Sequence, residues 1–204
     1  MIQLIIFDLD GVLVDACEWH RIALNEALKE ICKYQISLEE HYKEYNGLPT
    51  KTKLKKLADK NIINNDLDLF NKIEELKQIK TIDAINQHAF IRNEKVELMK
   101  FLRSKNMKIV CYTNSIRKTA NLMLEKTGIL DYFDFVVTNQ DVTIPKPNPE
   151  GYILSMKKLD IIPDNVIIIE DSDNGFKAAK SSGANVIRVK NQEEVDIKLL
   201  ENYI

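Results

Sequence analysis

The first strand-like run of this chain is separated from the second by roughly 100 residues, whereas a parallel βαβ crossover needs only one helix and two short loops. Short β-branched runs recur at 2–7, 108–112, 135–138, 166–169 and 185–189, each bounded by polar residues or glycine. Between the later runs lie helical patterns at 94–105, 116–126, 149–158 and 174–182. In the first of these, Val96, Met99 and Leu102 fall at helical spacing. Strand alternating with helix predicts an α/β fold with a doubly wound parallel sheet, whose strands are apolar throughout because both faces are covered. Gly128 and Gly183 stand where helices stop. The long first interval breaks the rhythm. It holds no convincing strand but three helical stretches, 18–32, 51–60 and 67–79, the first with Trp19, Ile22, Ala23, Ala27 and Ile31 on one face. The pattern therefore predicts a small all-helical cap domain at 16–91, inserted after the first strand of a Rossmann-like core made of 1–15 and 92–204.

A chain of 204 residues, 45% apolar and 29% charged, can bury such a core. Its 29 basic residues against 31 acidic ones leave a net charge of −2, which lacks the field that nonspecific nucleic-acid or anionic-membrane binding uses. Apolar runs of about six residues fall far short of the roughly 20 that span a bilayer. The N-terminus carries neither the basic start nor the cleavage site of a signal peptide, so the cytoplasm is the expected location. Cys17, Cys32 and Cys111 are odd in number and have no CxxC spacing, so neither a disulfide framework nor a zinc site is expected. A small-molecule partner and a monomer are the expectations that remain.

In an open α/β sheet, ligands bind at the carboxyl ends of the strands, and the polar clusters of this chain fall there. Asp8-Leu9-Asp10-Gly11 follows the first strand and Thr113-Asn114-Ser115 the second. Lys146-Pro147 comes after the third, and Glu170-Asp171-Ser172 follows the fourth. Taken singly, Asp and Gly are turn formers, Thr, Asn and Ser are helix caps, and Lys is a surface charge. Taken together, four carboxylates converging with one cation on a sheet edge would repel strongly unless a metal and an anion completed the site. Hard oxygen donors point to Mg²⁺. A carboxylate nucleophile, a divalent cation, a lysine and a hydroxyl are the parts that phosphoryl transfer needs, since its catalysis is mostly positioning and charge neutralisation.

In order and strand context these clusters resemble the four motifs of the haloacid dehalogenase superfamily of phosphohydrolases. Asp171-Ser172-Asp173-Asn174-Gly175 is similar to its β-phosphoglucomutase and phosphoglycolate-phosphatase branch. The resemblance implies Asp8 as a nucleophile that takes the phosphoryl group as an acyl phosphate and also binds Mg²⁺. Asp10 would be the general acid and base, with its carbonyl on the metal. Thr113 and Asn114 would bind phosphate through a hydroxyl and a backbone N–H. Lys146 would balance charge, and Glu170 and Asp171 would hold the metal. It also implies substrate roles for His20 and Lys77 in the cap. His20 fits better as a structural histidine on an amphipathic helix, and Lys77, near the end of the helix predicted at 67–79, is more simply explained by that helix's negative C-terminal dipole. Arg117 lies just past the phosphate-binding turn, where it either touches substrate or simply charges a helix start. Gly47-Leu48-Pro49-Thr50 resembles a cap loop that reaches the active site and also reads as a plain turn.

The resulting expectation is a Mg²⁺-dependent phosphatase acting on a small phosphomonoester such as a sugar phosphate. A phosphosugar mutase shares the chemistry, but where mutase relatives carry an arginine in the cap loop this chain has Thr50, with Lys51 and Lys53 nearby. A receiver-type phosphoacceptor domain uses similar residues. It lacks an insertion after the first strand, however, and places its acceptor Asp after the third.

Overall fold

The computed structural model describes all 204 residues. In chain order the elements are β1 (Leu4–Phe7), α1 (Cys17–Cys32), α2 (Leu38–Glu40), a π-helical turn (His41–Tyr45), α3 (Thr50–Asp59) and α4 (Leu67–His88). There follow α5 (Asn93–Ser104), β2 (Lys108–Tyr112), α6 (Arg117–Lys126), β3 (Phe135–Val137), α7 (Glu150–Leu159), β4 (Val166–Glu170), α8 (Asp173–Ser181), β5 (Asn185–Arg188) and α9 (Ile197–Leu200). No helix is long and apolar enough to cross a membrane. The chain divides into two compact units, one of Met1–Asp15 with Ala89–Ile204 and one of Ala16–His88.

The larger unit is built on a five-stranded, wholly parallel sheet in the order β3-β2-β1-β4-β5. β1 is its central strand, and every residue of β1 and β4 is buried, as continuous apolar runs require when both faces are covered. Leu4, Ile6, Val110, Tyr112, Val166 and Ile168 form one face and pack with Tyr152 and Met156 of α7 and Ala178 and Ala179 of α8. α5 and α6 pack against β2 and β3 and add nothing to that cluster, so they cover the other face. The register pairs Phe7 with Cys111 on one side and with Ile169 on the other. The residues that follow these three strand ends therefore emerge level with one another.

The strand and helix positions expected from periodicity agree with these elements to within one or two residues, except at α4. The expected helix ended at Ile79, but α4 runs on to His88. Its last nine residues are too polar to show an amphipathic stripe. They stay helical because Phe70, Ile73, Lys77, Thr81 and Ile85 make one buried row against α1. Lys77 is consequently in mid-helix, and a C-terminal dipole does not account for it.

The helical unit has a core of its own, with Leu24, Leu28, Tyr45, Leu54, Leu57 and Ile73 at its centre. One buried polar side chain fixes its first turn. Asn25 on α1 accepts from the Ile36 N–H at 2.8 Å and donates to the Ile36 carbonyl at 2.9 Å, satisfying both backbone groups of a residue that no helix serves. Asn25→Leu should strand both groups in an apolar setting and cost about 3 kcal/mol, read as a lower urea midpoint at unchanged slope. A midpoint equal to that of the wild type would show that the turn is held by packing alone.

Candidate active site

The strand order reverses between β1 and β4: the chain steps from β1 outward to β2 and β3, then crosses to β4 and β5. Such a switch point opens a crevice at the carboxyl ends of the two strands. Asp8 leaves β1 there, its N–H bonded to the Ile169 carbonyl at 3.0 Å, and Glu170 and Asp171 leave β4 beside it. Asp8, Glu170 and Asp171 each offer a carboxylate oxygen, and all three oxygens lie within 4.8 Å of one another.

One cation joins them. Lys146 Nζ donates to Asp8 Oδ1 at 2.6 Å, to Glu170 Oε1 at 2.5 Å and to the Tyr112 carbonyl at 2.8 Å. It also lies 4.6 Å from the centroid of the Tyr112 ring. Burial works against its charge, but Asp8 and Glu170 hold the ammonium well above the ordinary lysine range. Burial pushes the Asp8 carboxyl well up, with Glu170 adding to the effect and Lys146 opposing it. Asp171 is pushed up to about 7 by burial, then by Glu170 and Asp10, and its Oδ1 is buried with no hydrogen-bond partner. One ammonium is too little positive charge for this set. The orphaned oxygen and the all-oxygen donors fit a hard divalent cation such as Mg²⁺.

The chain is shaped closely around these groups. Gly11 adopts φ +89°, and a Cβ there would collide with the Asp171 carboxylate, while one at Gly175 would collide with Glu170. The glycine after Asp10 thus makes room for a carboxylate of the site itself. The loop that delivers Lys146 is tied at both ends. Asn114 accepts from the Lys146 N–H at 3.1 Å and donates to its carbonyl at 3.3 Å, and Glu150 accepts from the N–H groups of Thr143 and Ile144 at 2.7 and 2.8 Å. The Asn114 side chain is therefore a brace for the lysine loop, a role its sequence context did not suggest.

Asp10 is held differently from Asp8. Its Oδ2 accepts from Ser115 Oγ at 3.1 Å and, more weakly, from Thr113 Oγ1 at 3.5 Å, while Thr113 Oγ1 accepts from the Ser115 N–H at 3.0 Å. Ser115 joins the expected residues here, as does Tyr152, whose phenol donates to Glu170 Oε1 at 2.5 Å. Burial first and Glu170 second push that phenol well above its usual range, so it stays a donor. Tyr152 escaped sequence analysis because an aromatic on an amphipathic helix reads as core. Arg117 is engaged elsewhere: its guanidinium pairs with Asp141 and donates to the Val136 carbonyl at 3.3 Å, fastening α6 to the loop after β3.

Within the helical unit, Lys77 Nζ lies 3.1 Å from His20 Nδ1. Buried His41 belongs to the same basic neighbourhood. Burial, then Lys53 of α3 and Arg21 of α1, lower its pKa to about 4, with Glu18 opposing and His20 adding slightly. Thr50, the last residue of the expected cap loop, opens α3.

The sheet order and the carboxylates at its switch point define a Rossmann-like α/β enzyme. Residues 5–189 match the model of the haloacid dehalogenase-like hydrolases, and the chain belongs to that family. It is 29% identical over 182 residues to a phosphorylated carbohydrates phosphatase of Thermotoga maritima, covering 89% of this chain and 82% of that protein. It is 28% identical over 194 residues to the pyrophosphatase PpaX of Oceanobacillus iheyensis, covering 91% and 81%. Its fold is similar to that of a β-phosphoglucomutase from Clostridium difficile, with a TM-score of 0.85 at 23% identity over 99% of this chain and 96% of the other.

The depressed His41 pKa has a measurable consequence. Above pH 6.5 the imidazole is neutral in both folded and unfolded chains. As pH falls from 6.5 towards 4 only the unfolded chain takes up the proton, so up to roughly 3 kcal/mol of stability is lost in that window. His41→Gln should flatten the acid limb of the stability profile between pH 6.5 and 4, measured by urea unfolding. Parallel limbs for the variant and the wild type would refute the assignment.

Proposed function

We propose that the chain is a Mg²⁺-dependent phosphatase that hydrolyses a small phosphomonoester, such as a sugar phosphate, through a phosphoryl group carried on Asp8. The observation that carries this reading is the pair of aspartates two residues apart in unlike settings. Asp8 is clamped by a lysine among metal-type carboxylates, and Asp10 is held on hydroxyls outside that set. Two carboxylates in different environments take different roles.

In this reading the Asp8 carboxylate attacks phosphorus and Lys146 offsets charge on Asp8 and on the phosphoryl oxygens. Asp10 gives its proton to the leaving oxygen, then takes one from the water that cleaves the acyl phosphate. The Thr113 hydroxyl and the Asn114 N–H bind phosphoryl oxygens, and Ser115 orients Asp10. Asp8, Glu170, Asp171 and the Asp10 carbonyl would hold Mg²⁺, which when bound supplies the positive charge that lets one anion approach another. The helical unit is the cap that selects the substrate, with His20 and Lys77 as its recognition pair. No substrate role is assigned to Arg117. The names of the relatives, phosphatases of small phosphorylated compounds, support the substrate class.

Asp8→Asn should leave a folded protein with activity lower by several orders of magnitude, because the attacking charge is lost at nearly constant volume. Excess EDTA should abolish turnover of the wild type and Mg²⁺ should restore it. Both are read as inorganic phosphate released from a panel of phosphorylated metabolites, and substantial residual turnover in either case would overturn the mechanism.

Asp10→Asn should slow sugar phosphates far more than p-nitrophenyl phosphate, since a poor alkoxide leaving group needs the proton that an aryl oxide does not. Equal losses on the two substrates would remove Asp10 from the general-acid role.

A further inference from the structure

Glu170 is fully buried at the end of β4, and its two carboxylate oxygens are treated unequally. Oε1 accepts two short hydrogen bonds, from Lys146 Nζ and from the Tyr152 phenol, both at 2.5 Å. Oε2 accepts one long bond, from Ser172 Oγ at 3.3 Å. An oxygen already carrying two donors is a poor metal ligand. The other is left for a cation.

Lys146 alone gives Oε1 a single bond, about which the Glu170 head can still turn, and its ammonium is shared with Asp8 Oδ1 and the Tyr112 carbonyl. A second donor on Oε1, from a different element, removes the rotation. Tyr152 is itself closely packed: it is fully buried on α7, and its ring stands edge-on to Tyr112 with centroids 4.8 Å apart. Gly151, the residue before it, leaves the space that the Tyr112 ring occupies. The donor is also neutral. It satisfies a buried carboxylate without adding a positive charge that would compete with a divalent cation.

We propose that Tyr152 is a positioning residue for the metal site, locking Glu170 so that Oε1 faces Lys146 and Oε2 is the oxygen presented to the cation. This rests on the reading of Asp8, Glu170 and Asp171 as Mg²⁺ ligands. Tyr152→Phe keeps the ring and its packing and removes only the donor.

The test is calorimetric titration of the full-length protein with Mg²⁺ in the absence of substrate, alongside thermal unfolding in EDTA. Tyr152→Phe should bind Mg²⁺ about tenfold more weakly than wild type, the scale typical of groups that orient metal ligands, while its Tm in EDTA stays close to that of the wild type. The Mg²⁺ concentration for half-maximal phosphatase activity should rise by a similar factor, with KM for p-nitrophenyl phosphate at saturating Mg²⁺ unchanged. An unchanged Kd for Mg²⁺ overturns the proposal, whether or not the Tm falls, and returns Tyr152 to packing. Failure of the wild type itself to bind Mg²⁺ would instead overturn the metal-site reading on which the proposal stands.

Discussion

The ammonium of Lys146 is the charge around which the site is assembled. Burying an ammonium costs several kcal/mol, and burying two carboxylates beside it costs more. The arrangement holds because each charge is the principal partner of another and the spare donors and acceptors are used. The Tyr112 carbonyl takes the third ammonium proton, and the aromatic faces of Tyr112 and Tyr152 line the remaining side at 4.6 and 5.2 Å from Nζ. Removing the lysine would leave Asp8 and Glu170 as uncompensated neighbours. The cluster still carries more negative than positive charge, which is the condition under which a divalent cation is attracted to it.

The sheet makes that cluster possible by register. Asp8 follows β1 and Glu170 ends β4, and the two strands pair in register, so their side chains meet without any loop having to bring them together. Lys146 has no strand of its own. It comes from the long connection between β3 and α7, and the side chains of Asn114 and Glu150, which accept from backbone N–H groups of that loop, do for it what the sheet does for the aspartate. Glycine enters where the packing leaves no room for a Cβ. Gly11 and Gly175 are pressed against the carboxylates of Asp171 and Glu170, and Gly151 against the Tyr112 ring. A side chain at any of the three glycines would displace a group of the site.

The helical unit obeys a different logic. Its core is an ordinary apolar one, and the polar side chains of His41, Lys53 and Lys77 are buried with it. The main nearby acid, Glu18, is paired with Arg21. Burial and the neighbouring cations Lys53 and Arg21 hold His41 neutral, which costs stability as the pH falls below its ordinary titration range.

Much of the molecule was legible in its sequence. Continuous β-branched apolar runs and stripes of period 3.6 are local signals, so they located all five strands and most helices to within a residue or two. The polar clusters that follow four successive strands, taken together, pointed to Asp8, Asp10, Thr113, Lys146, Glu170 and Asp171. The end of α4 was not legible, because its last turns are kept by packing on α1 rather than by their own pattern. The engagement of Arg117 with Asp141, the brace from Asn114 to Lys146 and the bond from Tyr152 to Glu170 were not legible either. Each joins residues 18 to 32 positions apart through a distance that exists only once the strands have taken the order β3-β2-β1-β4-β5. Periodicity repeats along the chain and can be read from it. A pairing across strands depends on register and on which side chains reach the same few ångströms of space, and only the folded sheet decides that.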